Sequence, residues 1–212
     1  MFSIKKVLKD SYNFYLSKIV TLVGITSIVY IIGLLFEYIS SGLYDYSVVF
    51  GIVVGIILSV ILFIIEIGYI KFILKFVGGG DADVSDLLLH TKFFWKYLFA
   101  MILYGLAVFI GLILLVVPGI YIALRFAFAP LILIDKDLGI KESFKKSTEI
   151  TKDVKWKLLG FFVIIGMFQL ILGASLSIDP TMTIYHVVAI TFVPFMAVLV
   201  VKTYRSLLGL DS

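Results

Sequence analysis

The stretch YLFAMILYGLAVFIGLILLVVPGIYIALRFAFAPLILI, Tyr97 to Ile134, decides how this chain is organised. It is almost continuously apolar and much too long for one membrane crossing, since a spanning helix needs only about 20 apolar residues. Pro118-Gly119 lies inside it, and Pro-Gly is a strong breaker. Lys92 and Lys96 precede the stretch, and Lys136 and Lys141 follow it. A hairpin turning at Pro118 and Gly119 brings both lysine groups to one side. The sequence therefore predicts two spans here, residues 97–117 and 120–134. The second is short, about 22 Å at 1.5 Å per residue, so it tilts little, thins the bilayer or re-enters without crossing fully.

Further apolar runs cover residues 19–39, 48–72, 156–178 and 184–201. Together they predict an all-α, polytopic fold: one integral membrane domain over residues 1–212 with about six transmembrane helices. Composition agrees. Of the 212 residues, 62% are hydrophobic and 15% charged, where a soluble domain is nearer half apolar and a quarter charged. The run 19–39 exceeds the apolar core of a signal peptide, about 7–15 residues, and reads as a retained span.

Six spans put every basic loop on one side. All but one of the 18 basic residues lie before residue 19, in the segments after spans two and four, or after residue 201. The opposite loops carry Asp45 and Asp179 and no Lys or Arg. Cytoplasmic loops are enriched in Lys and Arg, so both termini are expected in the cytoplasm and the chain in a cell membrane. Tyr38, Tyr44, Tyr46, Tyr121 and Tyr185 mark the outer boundary on this reading, and Tyr15, Trp95, Tyr97, Trp156 and Tyr204 the inner one. The net charge of +4 follows from those loops and fits a surface facing anionic lipid better than nucleic acid.

A loose repeat accompanies the spans. Three amphipathic segments, Ser3 to Lys18, Val84 to Lys96 and Gly139 to Lys157, each lead into a pair of spans. Their apolar faces are Ile4, Val7, Leu8 and Tyr15; Val84, Leu87, Leu88 and Phe94; and Ile140, Phe144, Ile150 and Val154. Such helices either lie in the headgroup region or pack under the bundle. Gly78-Gly79-Gly80-Asp81 lacks the Lys-Ser/Thr of a phosphate-cradling loop and reads as a turn.

Arg125 is the one basic side chain inside a predicted span away from its ends, where Lys71 and Lys157 sit. A charge near the bilayer centre costs about 2.5–3.5 kcal/mol or more, so it needs a partner. Glu66, Glu37 and a lipid phosphate are the candidates. The alternatives are a lipid-headgroup or anion site and a structural ion pair. Gly51, Gly55 and Ser59 recur every fourth residue on the second span, a spacing that lets helices approach closely; Gly173, Ala174, Ser175 and Ser177 offer the same on the fifth. Pro130 and Pro194 lie within spans four and six, where a missing backbone donor kinks a helix.

Catalytic groups are sparse. There is no cysteine. His90 and His186 fall on opposite sides and cannot share a metal. Asp135 and Asp137 bracket Lys136 and are best read as a solvated helix end. No serine has a base and acid beside it. No cofactor or metal is expected, and the chain reads as no enzyme.

Val116-Val117-Pro118-Gly119-Ile120-Tyr121, followed by Arg125, Ala129-Pro130, Asp135, Gly139 and the segment from Glu142 to Lys152, resembles a prokaryotic family. It is similar to the six-helix membrane domain fused to some glycerophosphodiester phosphodiesterases and to related stand-alone proteins of unknown function. The resemblance covers residues 110–160 and implies the six-helix fold and a cell-membrane origin. It does not imply phosphodiesterase activity, which belongs to a separate soluble domain. The expected function is non-enzymatic: binding or organising lipid, with anionic lipid at the cytoplasmic face, or scaffolding a membrane partner or a second copy. The rival reading is a small transporter or channel, motivated by Glu66, the kinked spans and the small-residue stripe.

Overall fold

A computed structural model describes residues 3–88, 91–178 and 183–210, helical almost throughout and without a strand among them. The helices are α1 (Ile4–Ser17), α2 (Ile19–Tyr46), α3 (Val48–Val77), α4 (Phe94–Leu114), α5 (Val116–Phe126), α6 (Ala129–Lys136), α7 (Ile140–Thr151), α8 (Lys155–Ile178) and α9 (Thr183–Leu207). Five stretches are long and apolar enough to cross a membrane: Ile19–Tyr46, Val48–Val77, Val84–Leu114, Val116–Lys136 and His186–Leu207. α8 adds 24 residues of apolar sequence. The chain is an all-α polytopic membrane protein. Each expected span contains or overlaps a helix, because a long apolar run can satisfy its backbone in lipid only by coiling.

The core gathers where the lysine-rich loops meet the helix ends. Leu22, Phe72, Leu74, Phe93, Tyr97, Phe128, Ile132, Leu133, Leu158, Val198 and Tyr204 form one buried cluster there. Away from it the hairpins α2–α3 and α4–α5 expose most of their apolar side chains, as helices solvated by lipid can.

α1 is held by its Val7, Ser11 and Tyr15 face, which lies on α9. Val7 packs with Phe161, Met196 and Leu199. The Tyr15 hydroxyl donates to the Thr191 carbonyl at 2.7 Å, and its ring meets Phe195 at 5.6 Å. Burial pushes the Tyr15 phenol above its usual pKa. Pro194 lies in the same turn and leaves the Ile190 carbonyl without its helical donor. The kink expected at Pro194 is thus where α1 docks.

The second amphipathic segment is not the helix the sequence suggested. It forms two 3-10 turns, Val84–Leu87 and Thr91–Phe93. Asp83 accepts from the Val84 backbone at 2.7 Å and from Ser85 at 3.0 Å, and Asp86 accepts from the Asp83 backbone at 3.0 Å. Short polar side chains that capture nearby backbone donors compete with helix. Asp86 also pairs with Lys75 at 2.7 Å. A side chain at Gly68 would overlap the Leu87 backbone, so this glycine lets the turn press onto α3.

The α4–α5 hairpin turns at Leu115, not at Pro118-Gly119. Pro118 sits in the first turn of α5, where its missing N–H is no loss. Gly119 is a packing residue: a Cβ there would strike Leu112, and one at Gly111 would strike Gly119. Expected span four is two helices, broken at Ala127–Phe128 just before Pro130.

Candidate functional site

The break between α5 and α6 leaves backbone groups that α7 satisfies. Ser143, Ser147 and Thr151 recur every fourth residue on α7 and are fully buried. The Ser147 hydroxyl donates to the Arg125 carbonyl at 2.9 Å and accepts from the Phe128 amide at 3.3 Å. Thr151 Oγ1 donates chiefly to the Ser147 carbonyl at 2.8 Å, within α7, and lies 3.3 Å from the same Arg125 carbonyl. Buried polar groups are stable only when paired; Ser147 stands in for the interrupted helical ladder, while Ser143 donates within α7 to the Gly139 carbonyl at 2.9 Å. The apolar residues expected to dock α7, Ile140, Phe144, Ile150 and Val154, are partly buried and pack against the main core beside this stripe.

This latch fixes Arg125. Its Nε donates to Thr148 Oγ1 at 3.0 Å, and its guanidinium lies 5.5 Å from the Phe126 ring centroid. Among the described residues it forms no ion pair. Glu66 is exposed on α3. Glu37 is exposed on α2. Neither expected carboxylate pairs with Arg125, because α5 packs on α4, α7 and α8 and not chiefly on α2 or α3.

One turn along α5 from Arg125, the Tyr121 hydroxyl accepts from Lys155 Nζ at 2.7 Å, and that ammonium lies 4.2 Å from the Tyr121 ring centroid. The sequence placed Tyr121 at the outer boundary and Lys155 at the inner one; they sit together. Val117, Ile120, Leu124, Trp156 and Leu159 join them around an apolar cavity of about 270 Å³. Trp156 is 83% exposed at its rim.

The other candidates have structural explanations. Asp137, in left-handed conformation at φ 50°, accepts from Lys92 at 3.0 Å and Lys96 at 3.1 Å. Those two ammonium groups hold its carboxyl below its usual pKa. Asp135 accepts from Tyr204 at 2.9 Å and lies 3.2 Å from Lys136. Lys71 donates to the Ile134 carbonyl at 3.1 Å. These contacts tie the end of α6 to α3, α9 and the start of α4, and leave no paired carboxylates for a cation. Among the described residues no His, Asp and Glu cluster is built to hold a metal.

Gly51 packs tightly on Tyr44 across the α2–α3 hairpin, Gly55 faces only Ser40, and Ser59 is exposed. The stripe therefore closes the hairpin at its tip alone. His186 bonds Tyr30 at 2.7 Å. His90, Asp179 and the side chains of Gly173, Ala174, Ser175, Ser177 and Tyr185 lie outside the described residues.

The sequence did contain a sign of the latch: hydroxyl residues at 143, 147 and 151 share one helical face, downstream of a span carrying Pro130. No family model, no curated protein and no solved structure matches this chain, so the likeness to the phosphodiesterase-linked membrane domain rests on the quoted residues alone.

Proposed function

We propose that this chain is a non-enzymatic integral membrane protein that binds an anionic lipid, its phosphate held by Arg125 and Lys155 and part of an acyl chain held by Val117, Ile120, Leu124 and Leu159. The observation that carries this reading is an arginine with no carboxylate partner among the described residues, one helical turn from a lysine-capped apolar cavity. The Arg125 Nε is engaged by Thr148, which orients the guanidinium and leaves its fork-shaped donor edge for phosphate. Trp156 suits the interface, having an apolar ring and a polar tip.

The same reading sets the membrane arrangement. Six helices cross, both termini and the lysine-rich loops face the cytoplasm, and the membrane is the cell membrane. The contact between Tyr121 and Lys155 supports a strongly leaning α4–α5 hairpin, because a lysine at the head of α8 belongs at the interface rather than in hydrocarbon. The lipid then lies in the cytoplasmic leaflet, where anionic headgroups and the polybasic surface attract each other.

Native mass spectrometry in mild detergent tests this, wild type beside Arg125→Gln. The wild type retains an anionic phospholipid that the variant loses, with affinity about tenfold to a hundredfold weaker, as expected for a hydrogen bond to a charged group. Equal adducts on both proteins overturn the proposal.

A further inference from the structure

The α2–α3 hairpin closes near its tip, where Gly51 meets Tyr44, and at its base, where the Thr26 and Tyr69 hydroxyls bond at 2.9 Å, and it gapes between them. At Gly33 no atom lies within 4 Å of an added Cβ, and at Gly55 only Ser40 Oγ does, at 4.0 Å. The gap between the helices is a groove of about 870 Å³, large enough for a small organic ligand by the usual range of about 300–1,000 Å³. Tyr30 and His186, bonded at 2.7 Å, line it on the α9 side. Leu34, Ile52, Ile56 and Leu62 form apolar walls, and Ser40 and Ser59 add hydroxyls.

Charge decides what fits. Among the described residues Glu37 is the one carboxylate lining the groove, and no lysine or arginine lines it. Between Lys18 and Lys71 the sequence has no basic residue at all, only Glu37, Asp45 and Glu66. A carboxylate in an apolar cleft favours a counter-cation. A small hydrated ion gains nothing from apolar walls. An anionic lipid meets a like charge. A cation carrying its own apolar body satisfies both the carboxylate and the walls, and the aromatic rings of Tyr30, Phe36 and Tyr44 suit a diffuse positive charge.

We propose that the α2–α3 groove is a binding site for a hydrophobic organic cation, with Glu37 as counter-ion. It is separate from the Arg125 site in both position and charge. The Arg125 site takes an anion on the lysine-rich side; this one takes a cation on the part of the hairpin, residues 19–70, that carries no basic residue.

The test is equilibrium binding of tetraphenylphosphonium to the full chain in phosphatidylcholine nanodiscs, with empty nanodiscs as reference. Tetraphenylborate, of the same shape and opposite charge, is the control. The wild type binds tetraphenylphosphonium saturably above the empty discs and does not so bind tetraphenylborate. Glu37→Gln weakens binding about tenfold or more, the scale of a lost charged partner. Gly55→Leu keeps the carboxylate, fills the groove and weakens binding comparably, while Glu66→Gln retains it. Circular dichroism establishes that each variant is folded. Absence of saturable binding by the wild type, unchanged affinity in Glu37→Gln, or loss in Glu66→Gln in place of Glu37→Gln overturns the proposal.

Discussion

α3 and the pair α5–α6 both look like apolar spans in sequence, and the structure treats them differently. α3 runs unbroken for 30 residues from Val48 to Val77. Its backbone satisfies itself, so the one hydroxyl of its small-residue stripe, Ser59, merely donates to the Gly55 carbonyl at 2.8 Å. α5–α6 is interrupted before Pro130, and its carbonyl and amide at the break are completed by Ser147 of another helix. A continuous helix asks little of its neighbours. A broken one recruits polar partners, and those partners bring a charged residue into a defined place. Arg125 meets Thr148 because the helix carrying it is broken beside α7.

The largest expected effect comes from the latch. Ser147→Ala removes the donor to the Arg125 carbonyl and the acceptor for the Phe128 amide, and costs about 1–3 kcal/mol, the usual penalty for buried groups left unpaired. Thermal unfolding in detergent measures it. A loss as small as that of an exposed hydroxyl would break the distinction drawn between the two spans. The variant also weakens anionic-lipid retention, because Arg125 loses its backbone anchor; unchanged retention would separate the latch from the site.

A smaller effect concerns Asp137, whose carboxyl is held low by Lys92 and Lys96. A carboxyl with a depressed folded pKa stabilises the fold above its unfolded value, about 3.9, and that contribution disappears as pH falls through the folded value. Asp137→Asn therefore lowers the melting temperature at neutral pH, and the gap from wild type closes below about pH 4. Asparagine tolerates the left-handed backbone, so the substitution isolates the charge. A gap that persists at acid pH would show the lysine contacts to be incidental.

The smallest effect is the control. Ser59→Ala, on the exposed face of unbroken α3, changes stability by less than about 0.5 kcal/mol. A larger loss would mean that α3 depends on a partner not seen in the single chain.

Much of the fold was legible because its cause is local. Runs such as residues 19–39 and 48–72 have no soluble alternative, and lipid forces them into helices. Their ends moved: α2 continues to Tyr46 and α3 to Val77, because tyrosines and lysines at a span's end extend the helix as readily as they mark the interface. The hairpin at Pro118 was misplaced by three residues, since proline in a first helical turn is as well accommodated as in a loop. The segment from Val84 to Lys96 failed as a helix because Asp83 and Asp86 capture its backbone and Gly68 receives it in a tight turn.

By itself the sequence determined that this is an all-α membrane protein, which loops are basic, and that Arg125 is anomalous among apolar residues. All of these follow from the water-to-lipid transfer cost of a contiguous segment. Only the tertiary structure decided what Arg125 meets. The choice among Glu66, Glu37 and Thr148 depends on which helix α5 packs against at its end before the break at Ala127–Phe128, and that neighbour is α7, more than 20 residues further along the chain. Apolar length is a property of neighbours in sequence; the partner of a buried charge is a property of neighbours in space.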